Sequence, residues 1–507
     1  MRRLYLLLFA VALAVNANGQ SSVSLQSHRG PLREYVPAAT TRAPASVSQP
    51  SVPNTSTSLD SFFTAFMATY HIPGVAACII KKNKVAWQGY YGLADMSLNI
   101  NVTDSTIFML ASVSKTVTST ALMQLYEAGR FQLDDSVDSY VPFPVRNPNN
   151  PSVPITFRML LTHTSSMKDN WTILSNLYVM GDHPMALGTF LKKYLSPGEE
   201  YYSSGSFYTY APGTTWNYCN VGAALCGYLV ETISGIPFDQ YCRDSVFVPL
   251  RMARTAWFLR DLDTALVARP YTYSSGTYID QGLYGYPDYP DGQLRTTAAS
   301  LARFLMANMN GGELDGQKVL DSSTVRLMRT RWFIGGAGGS DEDQGLIWFT
   351  ATINGKRLWG HTGGDAGVTT MAFLSEQDST GVVFLSNFDG DFPLGDIVDR
   401  LMTEADTLTV DVRQPVAYVP EKVLLHQNYP NPFNPSTTIK YGLPERSHVT
   451  LTIFNTLGQQ VATLVDGETE AGYHEVKFDA PHLPSGVYLY RLQAGDRLEV
   501  RKALLMK

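Results

Sequence analysis

Cysteine, charge and long apolar runs are all scarce in this chain, and each scarcity narrows what it can be. Its 507 residues hold four cysteines, Cys78, Cys219, Cys226 and Cys242. These are too few for a disulfide scaffold and have no metal-ligand spacing. Cys226 and Cys242 either pair between two helices or remain buried thiols. Only 17% of residues are charged and the formal net charge is -6. With no basic run, this argues against a nucleic-acid partner. H-E-x-x-H and paired Cys-x-x-Cys are missing, so no metal site is expected. G-x-S-x-G is missing as well, which disfavours a nucleophile elbow. The run from Leu4 to Val15 is shorter than the roughly 20 residues that cross a bilayer, and no other stretch qualifies as a transmembrane span. No cofactor is implied.

What is present begins with an export signal. Arg2 and Arg3 precede the apolar run, and small residues at Ala17 and Gly19 follow it, giving a signal peptide over 1–19 cleaved after Gly19. The mature protein is then expected to be secreted or attached to the cell surface. Residues 20–57, rich in Ser, Thr, Pro and Ala, read as a flexible leader. A first domain is expected over 58–405, a linker over 406–424 and a second domain over 425–507. In the first, Phe62, Phe63, Phe66, Met67 and Tyr70 form a helical stripe, and a hairpin follows from Val75 to Tyr91. Helices are expected over Ala223–Thr232 and Ala298–Met309. Strands return at Lys356–Gly360, Gly367–Leu374 and Val382–Ser386, before a helix from about Leu394 to Glu404. Strands at both ends with helices between them imply an α+β fold: one antiparallel sheet, flanking helices and a helical subdomain. The many tyrosines of the middle segment either line a cleft or pack loops onto the body.

Three short motifs carry chemistry. Ser112 and Lys115 sit three apart at a helix start, so a hydroxyl and an amine face one point. The serine is a nucleophile beside a base, provided burial or a neighbouring cation keeps the lysine neutral. Ser114 is a possible cap of the same helix. Tyr218-Cys-Asn220 follows a Pro-Gly turn at the entrance to another helix. There Tyr218 relays or accepts a proton, and Asn220 either binds a substrate amide or steadies the lysine. His361-Thr-Gly-Gly364 closes a strand, where glycines let a substrate lie along the edge and a Gly364 N–H serves an oxyanion. Cys219 and His163 read as packing residues, and Asp134-Asp135 as a helix start.

The ordered set S-x-x-K, Y-x-N and H-T-G resembles the serine β-lactamase and penicillin-binding-protein superfamily, specifically its class C-like branch with family VIII esterases and D-amino-acid peptidases. Leu160-Leu-Thr-His-Thr164 and Asn217–Ala223 resemble the text around those motifs. The resemblance covers about Leu59 to Ala405. It implies that Ser112 is acylated with Lys115 as base partner, that Tyr218 shares proton transfer and acts in deacylation, and that Asn220 positions lysine and substrate. His361 takes the place of the strand lysine, with Thr362 and Gly363 beside substrate and the N–H groups of Ser112 and Gly364 on the oxyanion. Because imidazole is not a permanent cation, an esterase or D-amino-acid peptidase acting on a small-molecule or peptide substrate is favoured over an efficient β-lactamase. The alternative is a weakly or non-catalytic penicillin-binding or sensing protein of the same fold.

The last 80 or so residues alternate in period two and form an all-β sandwich. Leu425–Ile439, with Asn-Tyr-Pro-Asn-Pro-Phe-Asn-Pro, resembles the opening of the type IX secretion sorting domain. Ile453–Gly458 and Ser485–Arg491 continue the likeness, which implies the type IX secretion machinery as a partner and passage across the outer membrane.

Overall fold

A computed structural model describes residues 57–337, 342–353, 355–408, 420, 422–428 and 430–506, with two earlier strands as backbone. Those strands, Tyr5–Val15 and Ser21–Pro31, pair antiparallel. Where an unfolded leader was expected, Ser21–Pro31 is therefore extended. The cleavage junction at Gly19, residues 32–56 and most of the expected linker lie outside the described residues. The chain divides into two compact units, Met1–Val410 and Asp411–Lys507.

The first unit is built on a sheet that draws its strands from both ends of the domain. The N-terminal part gives β1 (Gly74–Lys81), β2 (Lys84–Asp95) and β3 (Ile100–Asn101). The C-terminal part gives β4 (Phe333–Ala337), β5 (Glu342–Gln344), β6 (Phe349–Ile353), β7 (Lys356–Asp365), β8 (Val368–Ser375) and β9 (Thr380–Ser386). Their order is β4-β5-β6-β7-β8-β9-β1-β2-β3. The chain closes on itself where β9 pairs with β1, Val383 opposite Cys78. Strands β4 and β5 escaped the sequence reading because Gly335 and Gly336 interrupt the first and the second has three residues; β6 was missed as well.

Strand β1 shows why the sheet is covered on both sides. Its run Val75–Ile80 is fully buried, and alternation sends Ala76, Cys78 and Ile80 into one core and Val75, Ala77 and Ile79 into another. The first core takes Leu301, Phe304 and Leu305 of helix Ala298–Met309. The second takes Leu59, Phe63 and Phe66 of Thr57–Tyr70 and Ile397, Val398 and Leu401 of Leu394–Thr407. Each fully buried aliphatic side chain stabilises this layering by about 1.5–3 kcal/mol. All four cysteines are buried free thiols, so Cys226 and Cys242 do not pair. Of the middle tyrosines, Tyr271, Tyr278, Tyr284, Tyr286 and Tyr289 are buried; these pack loops onto the body. Among the described residues no single helix is long and apolar enough to cross a membrane.

In the second unit Ser436–Leu443 pairs with Gly472–Asp479 in one sheet. Ser447–Asn455 lies between Gln460–Thr469 and Gly486–Ala494 in the other, with Arg497–Leu505 outermost. Inward residues Ile439, Tyr441, Leu451, Ile453, Tyr490 and Leu492 make its own core. This is the expected all-β tail.

Candidate active site

The helix after β3, α1 (Ser114–Glu127), is almost wholly buried although it opens Ser-Lys-Thr-Val-Thr-Ser-Thr. Buried polar groups need partners, and here they fasten one loop. Thr118 donates to the Pro290 carbonyl at 2.6 Å, Lys115 to the Asp291 carbonyl at 2.6 Å, and the Leu294 N–H donates to the Ser114 hydroxyl at 3.2 Å. Ser114 is thus the first helical residue and a loop anchor, not the cap expected of it. Asp134-Asp135 also departs from expectation. It forms a turn, in which the Asp135 carboxylate accepts from the Gln132 N–H and the Tyr140 hydroxyl.

Ser112 occupies a single 3-10 turn, Ala111–Val113, leading into α1. Ala111 has φ of 46°, a left-handed conformation that costs a non-glycine residue roughly 1–2 kcal/mol. The turn is pinned from both sides. The Leu110 N–H donates to the Leu294 carbonyl at 2.8 Å, and the Thr370 hydroxyl donates to the Leu110 carbonyl at 2.5 Å. Half-exposed Ser112 thereby stands at a fixed place above a buried lysine.

The structure brings together Ser112, Lys115, Tyr218 and Asn220. The Lys115 ammonium donates to Ser112 Oγ at 3.0 Å and to Asn220 Oδ1 at 2.7 Å. It lies 5.0 Å from the centre of the Tyr218 ring. Asn220 opens α2 (Asn220–Ser234), with Cys219 as its N-cap, so the motif at that helix entrance points at the lysine. Burial pushes Lys115 towards losing its proton, but Tyr218, Asp291 and Asp169 pull harder and hold it above its ordinary value. The condition set for Lys115 as base, that burial or a cation keep it neutral, is opposed by the Tyr218, Asp291 and Asp169 groups around the amine. Burial raises the Tyr218 phenol as well, with Lys115 and Ser112 opposing the rise. The Tyr218 hydroxyl meets neither at hydrogen-bond geometry among the described residues.

Strand β7 carries the third motif and runs through to Asp365, beyond the Gly360 end expected for it. Its pairing with β6 stops at Phe349 opposite Gly360, while β8 accompanies it to Asp365. From His361 onward one edge of the strand is unpaired by β6, the arrangement that can receive an extended substrate. A methyl group on Gly363 would stand 3.1 Å from the Ser112 nitrogen; glycine is needed there because the serine turn abuts the strand. Thr362 is buried opposite Met371, and Gly364 is half-exposed opposite Thr369.

His361 is buried, and its ring lies 6.1 Å from that of Tyr218. Its Nδ1 is 2.5 Å from the Thr362 carbonyl, which requires the proton on Nδ1. Burial and then the nearby Lys115 charge push its pKa down to about 3, so the imidazole is neutral. His163 is buried with its ring 4.4 Å from the Tyr218 ring, and its Nδ1 accepts the Cys219 N–H at 3.2 Å. That is the packing role expected of it. Cys219 is buried, burial raises its thiol well above the ordinary value, and the thiol donates to Asp169 at 3.4 Å.

Asp169 is the site residue the sequence reading missed. Its carboxylate accepts from the Asn220 N–H, the Asn220 side-chain amide and the Val221 N–H. No spacing links it to Asn220, from which it is separated by 51 residues.

A sheet assembled from both ends of the domain, with a serine and a buried lysine at one helix start, defines the fold class of β-lactamases and penicillin-binding proteins. Residues 59–407 match the beta-lactamase family, and the chain belongs to it. Residues 427–506 match the secretion system C-terminal sorting domain. Penicillin-binding protein 4 of Amycolatopsis lactamdurans is 26% identical over 334 residues, 63% of this chain and 82% of that one. Protein flp of Staphylococcus aureus (strain MW2) is 24% identical over 66% of this chain, which spans 63% of that relative's length. Among solved structures, the octameric penicillin-binding protein homologue from Pyrococcus abyssi superposes with a TM-score of 0.58 at 20% identity, covering 88% of this chain and 99% of that one. The D-amino acid amidase from Ochrobactrum anthropi SV3 superposes with a TM-score of 0.55 at 20% identity, covering 69% and 99%. EstCE1, a hydrolase with promiscuous acyltransferase activity, gives a TM-score of 0.56 at 18% identity, covering 68% and 97%.

Proposed function

We propose that this protein is an exported serine hydrolase that works through an acyl-enzyme on Ser112. One observation carries the reading: a fully buried lysine ammonium donates at once to the Ser112 hydroxyl and to Asn220. Tyr218 takes the serine proton as general base; burial raises its phenol above the ordinary value, and the adjacent Lys115 cation opposes that rise. Ser112 Oγ then bonds to the substrate carbonyl carbon, and the leaving group departs with the proton from Tyr218. Water attacks the acyl carbon with Tyr218 as base, releasing the acid and free serine. The N–H groups of Ser112 and Gly364 hold the oxygen that gains charge in both steps. His361, Thr362 and Gly363 form the wall along which substrate lies.

A neutral His361 offers no charge to a substrate carboxylate, which favours uncharged esters and D-amino-acid amides over penicillins. The hydrolase with acyltransferase activity and the D-amino acid amidase among the structural neighbours are consistent with that choice. The sorting domain supports export by type IX secretion, with the N-terminal signal peptide serving the first membrane. The test is a panel of p-nitrophenyl esters, D-amino-acid amides and a chromogenic cephalosporin, read beside fluorophosphonate labelling of Ser112. Turnover of an ester or amide, lost in Ser112→Ala, supports the proposal. A stable adduct without turnover would instead favour a penicillin-binding sensor.

A further inference from the structure

We infer that Asp169 is a positioning residue: its carboxylate decides which way the Asn220 amide faces, and so holds Lys115 on Ser112. The inference builds on the acyl-serine reading above. A side-chain amide has two orientations of nearly equal shape, one presenting oxygen and the other NH2. Lys115 requires the oxygen, because an ammonium can only donate. Asp169 Oδ2 accepts from Asn220 Nδ2 at 2.8 Å and from the Asn220 N–H at 2.9 Å, and Oδ1 accepts from the Val221 N–H at 3.1 Å. Burial raises the Asp169 pKa, with the Asn220 and Val221 N–H groups, the Cys219 thiol and Lys115 opposing the rise; because each oxygen already accepts a backbone N–H, the carboxyl faces Asn220 as an acceptor. Turning the amide over would set oxygen against carboxylate and NH2 against ammonium, so both ends forbid it.

The carboxylate is itself held firmly. On one side the Lys168 N–H donates to the Ser206 carbonyl at 2.8 Å. On the other the Asn170 N–H donates to the Tyr194 hydroxyl at 2.7 Å, and that hydroxyl donates back to the Lys168 carbonyl at 2.9 Å. Asp169 also takes up two backbone N–H groups of the first turn of α2, which have no partner within the helix. The chain of contacts runs from Asp169 through Asn220 and Lys115 to Ser112, and Asp169 touches neither Lys115 nor Ser112 by hydrogen bond. Misplacing a reacting group by about 1 Å costs roughly a hundredfold in rate, which gives this orientation its effect.

The test is a double-mutant cycle on the full chain with a p-nitrophenyl ester. Asp169→Asn keeps the shape, but one oxygen becomes an NH2 that cannot accept, so it no longer serves Asn220 Nδ2, the Asn220 N–H and the Val221 N–H together. It is expected to lower kcat by about tenfold or more while KM changes by less than about threefold. In an Asn220→Ala background the same change should add less than about twofold, because its route to Lys115 is already cut. Additive losses, or an unchanged kcat in Asp169→Asn, would overturn the inference. Should that variant fail to fold, Asp169→Ala, which removes both acceptors, enters the same cycle with the same criteria. Crystal structures give a readout independent of turnover: in the Asp169 variant the Lys115 ammonium must move off the Ser112 hydroxyl, and an unmoved lysine refutes the idea. Wild-type protein without turnover or Ser112 labelling would refute the hydrolase reading, leaving the lysine position to judge Asp169 separately.

Discussion

Lys115 and Asn220 stand 105 positions apart in the chain, and their side chains meet at 2.7 Å. The same ammonium also reaches Ser112 Oγ and the Asp291 carbonyl. Three acceptors saturate the three donors an ammonium has. The amine is therefore fixed by helix α1, helix α2 and the loop at 291 together, and each of the three depends on the others.

Removing that amine tests both stability and chemistry. Lys115→Met strands the Asn220 oxygen and the Asp291 carbonyl in a buried setting, at a cost of about 1–3 kcal/mol for each group left unpaired. Thermal or urea unfolding should show the loss. Turnover of a p-nitrophenyl ester should fall by about 10³-fold, the order lost with a fixed donor that orients the reacting groups.

Tyr218→Phe separates the two effects. The Tyr218 hydroxyl is buried and makes no hydrogen bond among the described residues. Deleting it should therefore change stability by less than about 1 kcal/mol, while kcat falls by about 10²–10⁴-fold. Parallel melting curves and steady-state rates check this, and a large destabilisation would contradict the geometry.

His361 sets substrate charge preference. Its pKa, pushed down to about 3 by burial and Lys115, leaves it neutral at every pH where the enzyme is assayed. His361→Lys introduces a cation and should raise the ratio of penicillin acylation to neutral-ester turnover by about fivefold, on the order of 1 kcal/mol. For wild type the depressed value means that this residue's contribution to stability is full above about pH 6.5 and declines as pH falls towards 3.

Asp389 acts with the opposite sign. Burial raises its pKa from 3.8 to about 7, so its contribution is full below about pH 4 and is lost as pH rises through 7. Asp389→Asn should therefore gain on wild type steadily between those limits and level off above them, by on the order of 4 kcal/mol at the plateau. Urea unfolding at acid and mildly alkaline pH would show it; a pH-independent difference would contradict the assignment.

Local pattern alone determined much of this protein. The helical stripe at Phe62–Tyr70, the period-two strands of the tail and the serine–lysine spacing each depend on residues a few positions apart, and such spacings are read directly from the chain. The three motifs could likewise be placed on helix starts and a strand end. The tertiary structure decided what those motifs become. Lys115 is held above its ordinary value, against burial, by Tyr218, Asp291 and Asp169, all distant in sequence, and His361 is pushed down by burial and that same lysine. Asp169 faces Asn220 through contacts among segments near 169, 194 and 206. A pKa and an amide's orientation depend on which groups share a low-dielectric space, and that neighbourhood exists only once the chain has folded.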